Sequence, residues 1–268
     1  AQSGTGPEAV DAWVTLNRDQ GRMGLGDSLA PSIGYARDGY AITPRVAFDF
    51  SGCFDLLNGD ADARAVFLPE GRSLVAGDAH RQPALAASLS EIAEKGRDGF
   101  YKGWVAEDML AKLNGLGGKH TQADLDNAIA NYVTPIKTSY RGYDIWECPP
   151  NGQGLIALLL LNMVEGLDKF GDHPINLQRI HHEIEAGRLA YRDRSLFLAD
   201  PEFVDVPVDT LIGKDYANQL AGMINPQAAL HPLPDCPLPR HKSTVYISVV
   251  DKDRNACSFI NTVYHTFG

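Results

Sequence analysis

Ser243 and Thr244 stand at an abrupt change of composition. The run Pro239-Arg240-His241-Lys242-Ser243 is polar and begins with proline, whereas Thr244-Val245-Tyr246-Ile247-Ser248-Val249-Val250 is β-branched and aromatic. A threonine at the head of a strand is common and does no chemistry by itself. Behind an exposed, cleavable linker it acquires one. If the Ser243–Thr244 peptide bond is cut, Thr244 becomes an N-terminus whose own α-amine can act as base for its hydroxyl, with no His or Asp partner. A free α-amine titrates near ~8, so part of it is neutral at physiological pH. A second hydroxyl nearby would orient Thr244 Oγ.

Other groups carry weaker signals. His181-His182 are adjacent, so on a helix they point about 100° apart and do not chelate together. Asn151-Gly152-Gln153-Gly154 lacks the Lys-Ser/Thr of a phosphate loop, and no GxGxxG occurs. It reads as a turn entering a helix, with a share in a cleft as the alternative. Cys257 reads as a buried strand residue, having no evident His partner. Arg188, Arg192 and Arg194 read as a solvated or salt-bridged face projecting from their helix. No metal and no cofactor is called for.

The positioning elements follow from periodicity. Pro7 and Glu8 open a helix carrying Val10, Trp13, Val14 and Leu16 and ending at Gly21. Asp27 or Ser28 is placed to cap the next, with Leu29, Ile33, Ala36 and Tyr40 on one side. Thr43-Pro44 starts a third. Residues 60–77 are mixed, with a turn at Pro69-Glu70-Gly71. Gln82-Pro83 introduces a helix with Leu85, Leu89, Ile92 and Ala93, and another spans 104–116. Thr121 and Asp124 form a capping box before a helix through Ala130. Residues 135–148, split by Arg141-Gly142, predict a hairpin. An apolar helix follows the Pro149–Gly154 loop. The next helix spans about 175–194 with Ile180, Ile184, Gly187 and Tyr191 on one face, and a further one spans 211–223. Pro226, Pro232, Pro234, Pro237 and Pro239 mark a surface linker. Thr244–Asp251 and Cys257–Phe267 predict two strands joined by Asp251–Asn255. The class is therefore α+β, with a final hairpin too small to make a sheet by itself.

Composition bounds the rest. The 268 residues, 44% hydrophobic and 22% charged, allow one large core or two modest domains. A formal charge of -10 with no basic stripe argues against a nucleic-acid partner. No segment approaches the ~18 apolar residues of a membrane span. Four cysteines without CxxC spacing make zinc or redox motifs improbable and leave one or two disulfides open. The compartment stays open between periplasmic or secreted and cytoplasmic, because the chain starts at Ala1 and an upstream signal could have been removed.

Several ordered stretches resemble the gamma-glutamyltranspeptidases. They include Gly99-Phe100-Tyr101-Lys102-Gly103, Pro149 to Gly154, Glu185-Ala186-Gly187-Arg188-Leu189-Ala190-Tyr191-Arg192-Asp193-Arg194, Asp200-Pro201 and Ser248-Val249-Val250-Asp251-Lys252-Asp253. The resemblance implies an N-terminal-nucleophile (Ntn) hydrolase, an αββα sandwich of which this is a partial chain. On this reading 1–243 is the large-subunit region, ending in a Pro-rich linker over 224–243, and 244–268 starts the small subunit. The family's nucleophilic threonine falls on Thr244, its hydrogen-bonding second threonine on Thr262, and self-cleavage on Ser243–Thr244. The Arg that binds the donor carboxylate is expected upstream of Ala1 and the oxyanion glycines downstream of Gly268.

Two departures bear on specificity. Thr244-Val245-Tyr246 replaces the family's Thr-Thr-His, and Tyr264 stands where an Asn contacts the donor glutamate. The implied activity is cleavage of γ-glutamyl amides such as glutathione, with transfer to water or an amine. One alternative is an acylase with a glutaryl or cephalosporin-type donor, and another is an inactive relative or fragment with a binding role. The implied partners are a small amide substrate and the processed small subunit, with a homo-oligomer of processed heterodimers left open.

Overall fold

The capping box at Thr121 explains why one predicted helix forms and also where it stops. In the computed structural model, which describes residues 7–166, 173, 175–232, 245–261 and 267, Asp124 accepts the Thr121 N–H at 2.7 Å and helix Gln122–Asp126 begins there. The helix does not continue through Ala130 as expected. Arg97 takes the carbonyls of Asp126 and Ala128, at 2.9 and 3.1 Å, and Asp11 takes the Ala130 N–H at 2.7 Å. Those side chains outcompete the i→i+4 ladder.

Two compact units emerge, Ala1–Asn131 with Val245–Tyr264, and Tyr132–Thr244 with His265–Gly268. The first holds α1 (Ala9–Gln20), α2 (Leu25–Asp38), β1 (Tyr40–Ala41), α3 (Pro44–Gly52), α4 (Phe54–Asn58) and α5 (Ala61–Phe67). A 3-10 turn at Pro69–Gly71 precedes β2 (Ala79–His80), α6 (Pro83–Lys95), α7 (Asp98–Tyr101), α8 (Gly103–Gly115) and α9 (Gln122–Asp126). Its core gathers Val10, Leu89, Ile92, Tyr101, Ala106, Leu125 and Ala128. α2 has Gly24 as its N-cap, earlier than the Asp27 or Ser28 expected. The Ser28 N–H and hydroxyl both donate to Gly24 O, so Ser28 lies inside the first turn. Tyr40 leaves that helix to pair with His80 across β1 and β2.

Gly99 lets α7 approach α6. A Cβ there would lie 2.1 Å from Glu91 O, a backbone atom that cannot swing away. Gly99→Ala should therefore destabilise the protein by about 1–3 kcal/mol through overpacking. Urea unfolding of wild type and variant checks this, and an unchanged midpoint would refute it.

The second unit holds β3 (Ile136–Tyr140), β4 (Tyr143–Glu147), α10 (Gly154–Glu165), α11 (Leu177–Phe197), α12 (Val208–Leu211) and α13 (Lys214–Ala221). Arg141 and Gly142, both at positive φ, make the tight hairpin turn the sequence predicts. α10 is the buried apolar helix, with Leu155, Ile156, Leu158, Leu159 and Met163 all buried. Its single buried amide is satisfied: Thr138 Oγ1 donates to Asn162 Oδ1 and Asn162 Nδ2 donates to Ile212 O, both at 2.7 Å. The second bond falls where the helix expected over 211–223 divides into α12 and α13.

α11 turns a different face inward from the one its large apolar residues suggest. His182, Glu185, Ala186, Leu189, Ala190 and Asp193 are buried, while Ile180, Ile184 and Tyr191 are exposed. The small Ala186 and Ala190 let α11 pack against α10 and α13, and the charged members of that face are paired. The last elements are β5 (Val245–Val250) and β6 (Ala256–Asn261). Among the described residues no helix is long and apolar enough to cross a membrane.

Candidate active site

β5 and β6 form an antiparallel hairpin whose register runs from Val245↔Asn261 to Val250↔Ala256. Val, Ile and Phe supply its β-propensity. Alternation puts Ser248, Val250, Ala256 and Ser258 on one face and Ile247, Val249, Cys257 and Phe259 on the other. Val250 and Ile260 are exposed, as are Ile247 and Val249, so both faces present apolar groups. That pattern suits a strand pair buried between layers rather than at a surface.

The turn fixing this register is built on Asp251. Its carboxylate accepts the N–H groups of Asp253 and Asn255 and the Asn255 side-chain amide, all at 2.9 Å. Those bonds, the Asn255 side chain first, hold the Asp251 carboxyl below the usual range. Arg254 takes the positive φ that closes the loop.

Ser243, Thr244, Thr262 and Tyr264 all lie outside the described residues. Their flanks do not: β5 starts at the residue after Thr244, and β6 ends at the residue before Thr262. Cys257 is exposed, not buried as expected, because its face of the hairpin is uncovered. An open cleft of about 1010 Å³ lies along that face, between the hairpin and the end of α1, lined by Trp13, Leu16, Arg22, Cys257 and Phe259.

The Asn151–Gly154 loop is a turn into α10. A Cβ on Gly154 would sit 2.7 Å from Glu147 Cβ and 3.0 Å from Cys148 O, so close passage over the end of β4 explains that glycine. His181 and His182 each engage a main-chain carbonyl, of Asn225 and Gln178 respectively. Among the described residues no group of three or more His, Cys, Asp or Glu could hold a metal.

The arginines of α11 are less solvated than their spacing suggests. Arg188 pairs with the buried Glu185 at 2.7 Å and Arg192 with the fully buried Asp193 at 2.6 Å. Asp193 also accepts the Tyr216 hydroxyl at 2.6 Å, and burial together with that carboxylate pushes the phenol up to about 12. Glu185 accepts from Leu230 as well, a main-chain partner that sequence reasoning missed. For the Glu185–Arg188 pair the signal available was opposite charges at i,i+3 inside an Ala/Leu stripe; the Leu230 partner left none.

Comparison with known proteins decides the family, since the family model described as Gamma-glutamyltranspeptidase matches residues 1–268. The chain belongs to the gamma-glutamyltranspeptidase family. The glutathione hydrolase proenzyme of Escherichia coli is 37% identical over 99% of this chain and 47% of its own length. The glutathione hydrolase-like YwrD proenzyme of Bacillus subtilis is 34% identical over 98% of this chain and 50% of its own. Among solved structures, the cephalosporin acylase of Bacillus halodurans superposes with a TM-score of 0.82 at 35% identity, over 93% of this chain and 46% of that one. The chain spans about half the length of the curated relatives it matches. Its architecture is the mixed α+β arrangement of Ntn hydrolases, with gamma-glutamyltranspeptidase and acylase structures as its neighbours.

Proposed function

We propose that this chain carries the processing junction and the nucleophile of a self-cleaving N-terminal-threonine amidohydrolase and acyltransferase. The observation that supports it most is that β5 begins at the residue after Thr244, while β6, paired with β5, ends at the residue before Thr262, the two threonines that the family resemblance singles out.

The chemistry runs in two stages. In the precursor, Thr244 Oγ adds to the Ser243 carbonyl carbon and the C–N bond breaks. The hydroxyl proton passes to the Thr244 nitrogen, leaving an ester and a free amine. Water hydrolyses the ester, giving a carboxylate on Ser243 and restoring the Thr244 hydroxyl. In the mature enzyme the neutral Thr244 amine accepts the hydroxyl proton while Oγ attacks the donor amide, the donor amine departs, and water or an acceptor amine takes the acyl group. The Thr262 hydroxyl orients Oγ throughout. The products of processing are the large- and small-subunit partners.

The donor is a γ-glutamyl amide such as glutathione, in line with the glutathione hydrolase relatives. The alternative donor is a glutaryl-type amide, favoured by Tyr264 and by the likeness to a cephalosporin acylase. Intact-mass measurement on the full-length protein should find a break between Ser243 and Thr244; a chain that stays whole overturns the proposal. Release rates from γ-glutamyl-p-nitroanilide and glutaryl-p-nitroanilide separate the donors. A γ-glutamyl preference of about tenfold, or 1.4 kcal/mol, is expected, and the reverse preference would establish the acylase reading.

A further inference from the structure

The chain leading to the processing junction is gripped well before it arrives there. Leu230 donates its N–H to Glu185 Oε2 at 2.9 Å, and its carbonyl accepts from Arg188 Nη2 at 2.8 Å. Arg188 Nη1 donates to Glu185 Oε1 at 2.7 Å, closing the pair on itself. A turn earlier on α11, His181 Nε2 lies 2.7 Å from Asn225 O. The spacing of His181, Glu185 and Arg188 puts them on one side of the helix. All three spend their remaining hydrogen bonds on main-chain atoms of the same short segment, 225–230.

Such a pair is a poor choice for stability alone. The Glu185 side chain is 3% exposed, and burying a carboxylate costs several kcal/mol that an apolar residue would not incur. Burial by itself pushes the Glu185 carboxyl up. The Leu230 N–H, Arg188 and His181 outweigh it, so the group sits below the usual glutamate range and stays charged. What the arrangement provides, and a hydrophobic contact would not, is a fixed orientation for both the N–H and the C=O of one residue.

We propose that Glu185 and Arg188, assisted by His181, are positioning residues for self-cleavage: they clamp the start of the linker and so raise the rate at which Ser243–Thr244 is cut. The inference rests on the reading that this bond is the processed one. Residues 232–239 of the sequence include Pro232, Pro234, Pro237 and Pro239, and proline-rich sequences are as a class stiffer than Gly/Ser ones. A stiff linker held at its origin restricts where its far end can go, whereas a Gly/Ser linker would lose that information within a few residues. Attack by Thr244 Oγ needs the Ser243 carbonyl in near-attack geometry, and remote misplacement can cost on the order of 10²-fold in rate.

The experiment follows maturation of freshly synthesised full-length precursor by intact mass over time, for wild type, Glu185→Gln and Leu230→Pro. Glu185→Gln nearly preserves shape but removes the charge that holds Arg188. Leu230→Pro removes the donated N–H, together with a side chain that packs against the core formed by α10, α11 and α13, and changes no residue of α11. Both should mature at least about tenfold more slowly. Once matured, both should release p-nitroaniline from the preferred donor at the wild-type rate per mature site, measured well below a melting temperature that the loss of a buried bond lowers. Folded variants that mature at the wild-type rate overturn the proposal. So does slow maturation accompanied by an equal loss of turnover per mature site, which marks a purely structural pair. A wild-type chain left intact at Ser243–Thr244 overturns the processing reading instead, and the wild-type control distinguishes that case.

Discussion

Thr244→Ala should leave the full-length protein as one uncut polypeptide without turnover, whereas Thr244→Ser should be cut and active at a reduced rate. The proposed function ties processing and turnover to the same oxygen. Removing it deletes the nucleophile that attacks the Ser243 carbonyl, and it leaves no N-terminal hydroxyl for the donor amide. The loss of turnover is expected to be on the order of 10⁴-fold or more, the scale seen when a covalent nucleophile is removed. Serine retains the hydroxyl and the α-amine. It loses only the methyl group that restricts χ1, so its deficit lies in orientation. Electrophoresis under denaturing conditions and p-nitroanilide release read the two effects separately. Two subunits appearing from Thr244→Ala would sink the assignment.

The largest stability effect is expected at Asp11. Its carboxylate is buried in the first unit, where it accepts the Ala130 N–H at 2.7 Å and pairs with Arg97 Nε at 2.9 Å. Arg97 in turn carries the carbonyls of Leu125, Asp126 and Ala128, and its guanidinium lies 4.5 Å from the centre of the Tyr101 ring. Tyr101 closes the network by donating its hydroxyl to Pro7 O while accepting the Asp11 N–H. Asp11→Ala strands a partly buried guanidinium and an amide together. The expected cost is about 3–5 kcal/mol, or a melting temperature lower by about 10 °C. Calorimetry on the full-length protein checks it. A fall under about 1 kcal/mol would mean that the network is not what holds 125–130 against α1.

The contrast between these sites shows what was legible before the structure. Thr244 announced itself because a composition boundary is a one-dimensional signal, and the family motifs then fixed its register. Thr262 and Tyr264 had no such signal and entered only by resemblance, and like Thr244 they lie outside the described residues. The hairpin at Arg141-Gly142 and the capping box at Thr121 were readable because their chemistry is local.

α11 was misread for a physical reason. Large apolar side chains at helical spacing usually mark the buried face, but here small Ala186 and Ala190 allow close packing, and Glu185 and Asp193 are buried because each has a charged partner. The Glu185–Leu230 contact was not readable at all. A main-chain donor has the same chemistry in every residue but proline, so it leaves no trace in the sequence.

The Asp251–Asn255 turn carries a consequence for what variation this region can absorb. Because strand faces alternate with every residue, one inserted or deleted residue there would shift the pairing of β6 and exchange its two faces. Ser258 would then leave the side of Ser248, and a residue from the face of Cys257 would take its place. Replacing a residue such as Lys252, which makes its ion pair in full solvent, leaves the count intact and should be nearly silent. The tolerance at Lys252 and Asp253 is therefore a tolerance of kind and not of number. A library that randomises those two at fixed length, keeping Asp251, Arg254 and Asn255, should retain processing, while one that varies the loop length by a single residue should lose it.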